Sequence, residues 1–304
     1  MCHSTLRIVF KFTQSTNSIG KIFNYLIPCY QLMEFDQGAL ELINDFATDY
    51  IEKFKDTVPH NVIPLLEFQL TNSIKFRCIK QARKEKKEVV NRDIAKKVLS
   101  KLRKKLISLK PEDILKIYYD SYHGLKERIG LTETRILLDL GCGWGRVVGV
   151  LKLLGLSTEF IGLDSDLEAL KYGKEVDSNI HFIHGNIENL PLRDEIADVV
   201  LCIHVLHEIK TAGRDISTAL GEMIRTLKPN GLLHITDFLV SNPLVGSLLC
   251  VLGRVIKAET SCTPSELIDI VGRLGMKTRN IEELRPVKIS GIKIGEICVL
   301  EFQK

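Results

Sequence analysis

Several features are scarce or missing in this chain of 304 residues, and each absence removes a class of explanation. No stretch reaches the ~20 consecutive apolar residues of a membrane-spanning helix. The N-terminal apolar pieces, Ile8-Val9-Phe10 and Ile22 to Pro28, are too broken for a signal peptide, and no small-residue cleavage site follows them. Residues 1–32 therefore read as a loosely packed arm. The eight cysteines stand singly at positions 2, 29, 78, 142, 202, 250, 262 and 298. Without a Cys-x-x-Cys pair or a histidine at metal-ligand spacing, they support neither a zinc site nor a disulfide framework, and no metal is expected. Several lie in apolar runs, where a free thiol is simply a small hydrophobe, so a reducing, cytoplasmic setting is the expectation. Charge of one sign is not in large excess either, the net being +4.

A hydrophobic content of 45% and a charged content of 26% are those of an ordinary globular chain long enough for one large or two moderate domains. The charge is unevenly spread. Residues 1–130 hold 23 Lys/Arg against 15 Asp/Glu, and the remainder holds 19 against 23. Leu40, Ile43, Phe46, Ala47, Tyr50, Ile51 and Phe54 form a helical stripe; further helical regions begin near Leu65 and Asn91. Between Lys75 and Lys105 lie 14 basic and three acidic residues. Such a run can follow RNA phosphates or an anionic membrane face, but only Phe76 is available to stack on bases. A solvated helix face is the favoured reading.

The chain is organised around Ile136-Leu137-Leu138-Asp139-Leu140-Gly141-Cys142-Gly143-Trp144-Gly145-Arg146. An apolar run ends in a carboxylate, passes through alternate glycines and enters a segment of helical period, which reads as strand, tight turn and helix. A dinucleotide turn uses Gly-x-Gly-x-x-Gly and offers its helix N-terminus to a diphosphate. Here the spacing is Gly-x-Gly-x-Gly, and Asp139 would repel a diphosphate while attracting an ammonium.

These residues resemble motif I of the class I S-adenosylmethionine-dependent methyltransferases. The resemblance implies S-adenosyl-L-methionine as cofactor, held by Asp139, Gly141, Cys142, Gly143 and Gly145. Glu159 to Asp164 is a second strand ending in an acid, and Asp164, with Ser165 beside it, is expected at the ribose hydroxyls, leaving Asp166 to cap the next helix. After a third strand, Ile180 to His184, the family commonly places an acid to accept from the adenine amino group. This chain has Asn186 there, whose carbonyl can accept without charge, and Ile187 would pack on the ring. Ala197 to Glu208 is a fourth strand entering a helix, which puts Ile203, His204 and His207 near the methyl group, with His204 and His207 as candidate catalytic residues and Glu208 a surface residue. Leu227 to Asp237 forms the turn into a fifth strand, and 276–281 and 295–302 close the pattern as a strand pair.

The fold expected is α/β: a Rossmann-like, seven-stranded, mostly parallel sheet with helices on both faces, preceded by a helical region. The domain boundaries are 1–130 for the basic helical part and 131–304 for the methyltransferase part. Tyr118 and Tyr122, on a helix before the first strand, are candidate lid residues. The apolar segment 238–253 would line an acceptor pocket or pack elsewhere, with Leu248 and Leu249 the residues to test. The strand-four exit resembles the ubiquinone and menaquinone C-methyltransferases, and it lacks the Asn-Pro-Pro-Tyr signature of amino-methylating members. The implied activity is methyl transfer to a small, apolar acceptor, with peripheral membrane contact allowed. An RNA methyltransferase using the basic front half and a non-catalytic protein of the same fold are the alternatives.

Overall fold

The computed structural model describes residues 33–53, 55–56, 60, 63–106, 121–130, 134–240, 262–289 and 292–304. Residues 1–32, Tyr118 and the segment holding Leu248 and Leu249 lie outside these, as does the side chain of Tyr122.

The front half is helical where sequence periodicity placed helices. α1 spans Gln37–Glu52, capped by Asp36, whose side chain accepts from the Ala39 amide at 2.6 Å. α2 spans Ile63–Lys84, α3 spans Arg92–Leu106 and α4 spans Ser121–Gly130. Ala39, Ile43 and Phe46 of α1 meet Ile74, Cys78 and Ile79 of α2 and Ile94, Val98 and Leu99 of α3 in one buried cluster. Two short parallel strands, β1 (Glu34–Phe35) and β2 (Val89–Val90), tie α1 to the α2–α3 connection. Periodicity gave no sign of a pairing so brief.

The back half alternates strand and helix: β3 (Ile136–Leu140), α5 (Arg146–Leu153), β4 (Glu159–Asp164), α6 (Leu167–Val176), β5 (His181–His184) and β6 (Ala197–Ile203). Then follow α7 (Leu206–Thr211), α8 (Ile216–Thr226), β7 (Leu227–Val240), α9 (Pro264–Arg273), β8 (Lys277–Ile289) and β9 (Ile292–Gln303). The seven strands form one sheet in the order β5-β4-β3-β6-β7-β9-β8, parallel except for β9, which runs antiparallel to both neighbours. The sheet is thus the expected one. Its strands read as nearly unbroken apolar runs because both faces are covered. Ile209, Leu220, Met223 and Leu267 of α7, α8 and α9 pack on one face, and Leu65, Leu125, Val148 and Leu151 of α2, α4 and α5 on the other.

β7 begins earlier than the Pro-Gly turn suggested. Leu227 pairs with Ala197, the register then shifts, and pairing resumes at Val199 with Leu232. Lys228, Pro229, Asn230 and Gly231 fill the irregularity, with Asn230 at φ 63°. The closing strands are also longer than expected, because they form a hairpin reaching Ile289 paired with Ile292.

The helical region is joined to the sheet through α2. Trp144 packs against both Phe68 and Tyr172, with ring centroids 5.7 and 6.0 Å away, and Phe76 stacks on Tyr172 at 5.6 Å. The Tyr172 hydroxyl donates to Asn72 Oδ1 at 2.9 Å, Lys80 pairs with Asp166 at 2.8 Å, and Arg83 pairs with Glu168. Part of the basic run therefore faces acids of α6 rather than solvent alone.

Candidate functional site

In an open parallel sheet, ligands lie beyond the carboxyl ends of the strands. There β3, β4, β6 and β7 each deliver a carboxylate or imidazole. The turn after β3 is left-handed at alternate positions, with φ of 75°, 55° and 80° at Gly141, Gly143 and Gly145. Gly141 is fixed by contact as well as conformation: a Cβ there would stand 2.2 Å from Val205 Cγ2, so the turn lies directly against the segment after β6. At Gly143 a Cβ would meet nothing within 4 Å, which leaves bare main chain facing open space.

Asp139 is 1% exposed, and its Oδ2 has no hydrogen-bond partner. Burial, followed by the nearby Asp164 carboxylate, pushes its pKa up to about 7, with Arg146 pulling the other way. A buried, unpartnered carboxylate is costly unless a cation completes it. Asp164 is held in place by two backbone donors: Gly143 N–H reaches Oδ2 at 2.7 Å, and Asp166 N–H reaches Oδ1 at 2.8 Å. Each oxygen keeps a further lone pair for a hydroxyl. Asp166 caps α6, accepting from Glu168 and Ala169, as the sequence reading anticipated.

The other expected residues are placed as follows. Cys142 is buried with Sγ turned toward β4, 2.8 Å from where a Cβ on Gly162 would stand, so what it offers the turn is backbone. Its thiol pKa is raised well above normal by burial, then by Asp139 and Asp164. Ser165 is exposed, and its carbonyl lies 3.1 Å from His184 Nε2. Asn186 Oδ1 accepts from Glu188 N–H at 3.0 Å, a local turn that occupies one of the carbonyl's two lone pairs. Ile187 is buried in the same cluster as Leu163 and Ile183. Ile203, half-buried, ends β6, and His204 follows it with φ 59° and its N–H on Thr236 O at 2.7 Å. Such an angle is uncommon in a non-glycine residue and concentrates at functional sites. Glu208 is exposed on α7.

Sequence reasoning missed one participant. Asp237, fully buried in β7 one residue past the end of its pairing with β6, accepts from His207 Nδ1 at 2.6 Å and from Phe238 N–H at 2.7 Å through Oδ1. Its Oδ2 accepts from the amides of Val205, Leu206 and His207 at 3.1, 2.7 and 3.3 Å. His204, His207 and Asp237 each bring a potential metal-ligand atom within 4.8 Å of the others. A carboxylate has about four lone-pair sites, and these donors fill them, so the arrangement reads as a hydrogen-bonded His–Asp dyad. The available signal was an acid at a strand's carboxyl end, the same signal that marked Asp139 and Asp164.

This sheet order, the glycine turn and the two strand-end acids are those that the resemblance to the class I S-adenosylmethionine-dependent methyltransferases implies. Residues 138–235 match the family model described as a methyltransferase domain. Among curated proteins, the chain is 34% identical over 106 residues to a tRNA (carboxymethyluridine(34)-5-O)-methyltransferase of Arabidopsis thaliana, covering 35% of this chain and 24% of that one. It is 30% identical over 126 residues to a ubiquinone/menaquinone biosynthesis C-methyltransferase of Pectobacterium atrosepticum, covering 39% and 48%. The chain thus spans between about a quarter and a half of these relatives' lengths. A solved structure of a geranyl diphosphate methyltransferase shares the fold, with a TM-score of 0.52, 10% identity, and coverage of 64% of this chain and 80% of that one.

Proposed function

We propose that this protein is an enzyme that transfers the methyl group of S-adenosylmethionine to a small, apolar organic acceptor. The observation that carries the reading is Asp139: a buried carboxylate with an unpartnered oxygen beside an open glycine turn fits a ligand bearing an ammonium and no phosphate. The α-amino group of the cofactor meets Asp139, and its amino-acid portion lies along Gly141, Cys142, Gly143 and Gly145. The ribose hydroxyls are held by Asp164 with Ser165 alongside. Asn186 accepts from the adenine amino group through its remaining lone pair, Ile187 packs on the adenine ring, and Ile203 lies near the methyl group. Bound there, the cofactor supplies an activated methyl carbon; the chain's residues position the acceptor in line with it. His207, and His204 beside it, stand where the acceptor would enter.

Support for an apolar acceptor comes from the quinone C-methyltransferase relative and from the apolar segment after β7. The same reading takes residues 1–130 as a basic, mainly helical N-terminal region and 131–304 as the methyltransferase domain, working in the cytoplasm. Among the described residues no helix is long and apolar enough to cross a membrane, and contact with a membrane surface is compatible with the basic front half. The RNA reading is supported by the basic run from Lys75 to Lys105 and by the tRNA methyltransferase relative; against it, Lys80, Arg83 and Lys97 are each paired with an acid.

Calorimetry tests the cofactor site: Asp139→Ala and Asp164→Ala should each weaken S-adenosylmethionine binding, and wild-type binding in both variants would overturn the assignment. Methyl-labelled cofactor incubated separately with a lipid extract and with total RNA tests the acceptor. Label entering the organic phase supports the small-molecule reading; label in RNA alone replaces it with the second.

A further inference from the structure

Part of the basic run between Lys75 and Lys105 stays without partners once its contacts with α6 are accounted for. We propose that the outer side of α2, α3 and the connection between them docks on a bilayer of anionic lipid, holding the mouth of the site toward the phase that carries the acceptor. The inference rests on the reading of an apolar acceptor for its purpose, though not for its test.

Charge comes first. Arg77, Lys84, Lys86, Lys87 and Lys101 are exposed, and none forms an ion pair among the described residues. Lys97 of α3 reaches Glu85 just beyond the end of α2, so the basic residues of the two helices lie side by side. Of the three acids in the run, Glu85 is bound by both Lys97 and Gln81, while Glu88 and Asp93 are exposed. α1 has no Lys or Arg, and its Glu41, Asp45 and Asp49 are exposed. The helical unit is therefore polarised, and a negative surface attracts one side of it while repelling another.

The same side carries an exposed aliphatic residue. Val89, 41% exposed, follows Lys86 and Lys87 in the connection. Cations for headgroups around an aliphatic group for the acyl boundary are what an interfacial contact needs. Phe76, the aromatic of the run, is stacked on Tyr172 with Lys80 4.7 Å over its ring, so the run presents no platform for bases.

Place and rigidity agree with this. Lys80 and Arg83 bind Asp166 and Glu168 at the start of α6, and the Asp166 amide is bonded to Asp164. The last turns of α2 thus lie beyond the carboxyl end of β4, on the side where the cofactor site opens. The connection is also held in shape. Lys86 at φ 56° and Lys87 bond back to Arg83 and Ala82, Val89 and Val90 pair with β1, and Asn91 accepts from the Ile94 amide at 3.1 Å. A preformed surface loses little freedom on docking.

The test is sedimentation of the full chain with vesicles of phosphatidylcholine alone, or of phosphatidylcholine and phosphatidylglycerol at roughly three to one. The anionic vesicles should bind it about tenfold more strongly or better, and salt at about 0.5 M should release it. Each Lys near such a surface is worth about fivefold in partition, so Lys84→Gln, Lys87→Gln and Lys101→Gln combined should weaken binding about a hundredfold. Val89→Asp should weaken it about tenfold. Both variants should bind S-adenosylmethionine as the wild type does by calorimetry, which shows that they fold. In transfer from methyl-labelled cofactor to a lipid extract, the triple variant should show a raised KM when the extract is carried in anionic vesicles. With the extract dispersed in neutral detergent it should match the wild type. Equal binding to both kinds of vesicle, a triple variant that sediments like the wild type, or a wild type that prefers total RNA to anionic vesicles at the same salt overturns the proposal. A wild type that binds anionic vesicles but not S-adenosylmethionine upholds the docking surface and refutes instead the methyl-transfer reading.

Discussion

Replacing Asp139 by Asn separates what this carboxylate costs the fold from what it gives the ligand. Its pKa is raised from 3.8 to about 7 in the folded chain. A shift of about 3 units corresponds to about 4 kcal/mol of differential interaction, at 1.36 kcal/mol per unit. The sign follows from linkage: with the folded pKa above the unfolded one, the native state binds the extra proton, so stability is fully present below about pH 4 and is lost progressively until about pH 7. At about pH 5.5 the penalty is about 2 kcal/mol, and near pH 8 it is complete. Asn never ionises and escapes this term, though its amide must still find partners, which offsets some of the gain. The pH-dependent part is free of that offset. The stability gap between Asp139→Asn and wild type should therefore grow in favour of the variant by about 2 kcal/mol between about pH 5.5 and 8, or about 4 °C in melting temperature. With S-adenosylmethionine present the order reverses, because only the wild type supplies a partner for the ammonium. Wild-type affinity should climb toward pH 7 as Asp139 ionises and fall again beyond about pH 8 as the α-amino group loses its proton. Differential scanning across pH, with and without cofactor, measures both. A stability gap that ignores pH, or an Asn variant binding as tightly as wild type, would refute the reasoning.

Gly141→Ala and Gly143→Ala should part company. The first drives a methyl into Val205 Cγ2 and should cost several kcal/mol by denaturant melts, whereas the second meets no atom and should cost only the ~1–2 kcal/mol of a left-handed alanine while still weakening cofactor binding. Trp144→Ala, which removes the indole that packs on Phe68 and Tyr172, should destabilise by about 3 kcal/mol or more and reduce cofactor affinity with it, read by urea titration and calorimetry. Cys78, Cys142, Cys202, Cys262 and Cys298 are all buried, and the Cys78 thiol is pushed up to about 12 by burial. Peptide-resolved labelling with iodoacetamide should find these five unmodified in the native protein and modified once it is unfolded.

What could be read in the sequence was what depends on near neighbours. The strand-turn-helix at Ile136 to Arg146 was visible because its glycines, its acid and its apolar run fall within eleven residues, and Asp166 as a cap because capping is local. Asp237 was not, since its role arises only when β7 comes to lie beside β6 and places its carboxylate over the start of α7. The basic run was read as a solvated face, but the partners of Lys80 and Arg83 lie about 85 positions away on α6, and no local pattern announces such a pairing. At Asn186 the local bond from Glu188 N–H, two residues on, went unread, and it leaves one lone pair of the carbonyl for the adenine amino group proposed there.

The placement of Trp144 has a practical consequence for anyone cutting this chain into pieces. Its indole belongs to the donor turn, yet one side of its housing, Phe68, is contributed by α2, which also lies so close to α5 that a Cβ on Gly149 would stand 2.6 Å from the Phe68 ring. A fragment trimmed to residues 134–304 would uncover the indole and the flat seat at Gly149 together, presenting a sticky patch beside the very loop meant to receive the cofactor. The shortest piece that keeps that loop in shape must carry Ile63–Lys84 with it, well outside the stretch that sequence similarity marks as the domain.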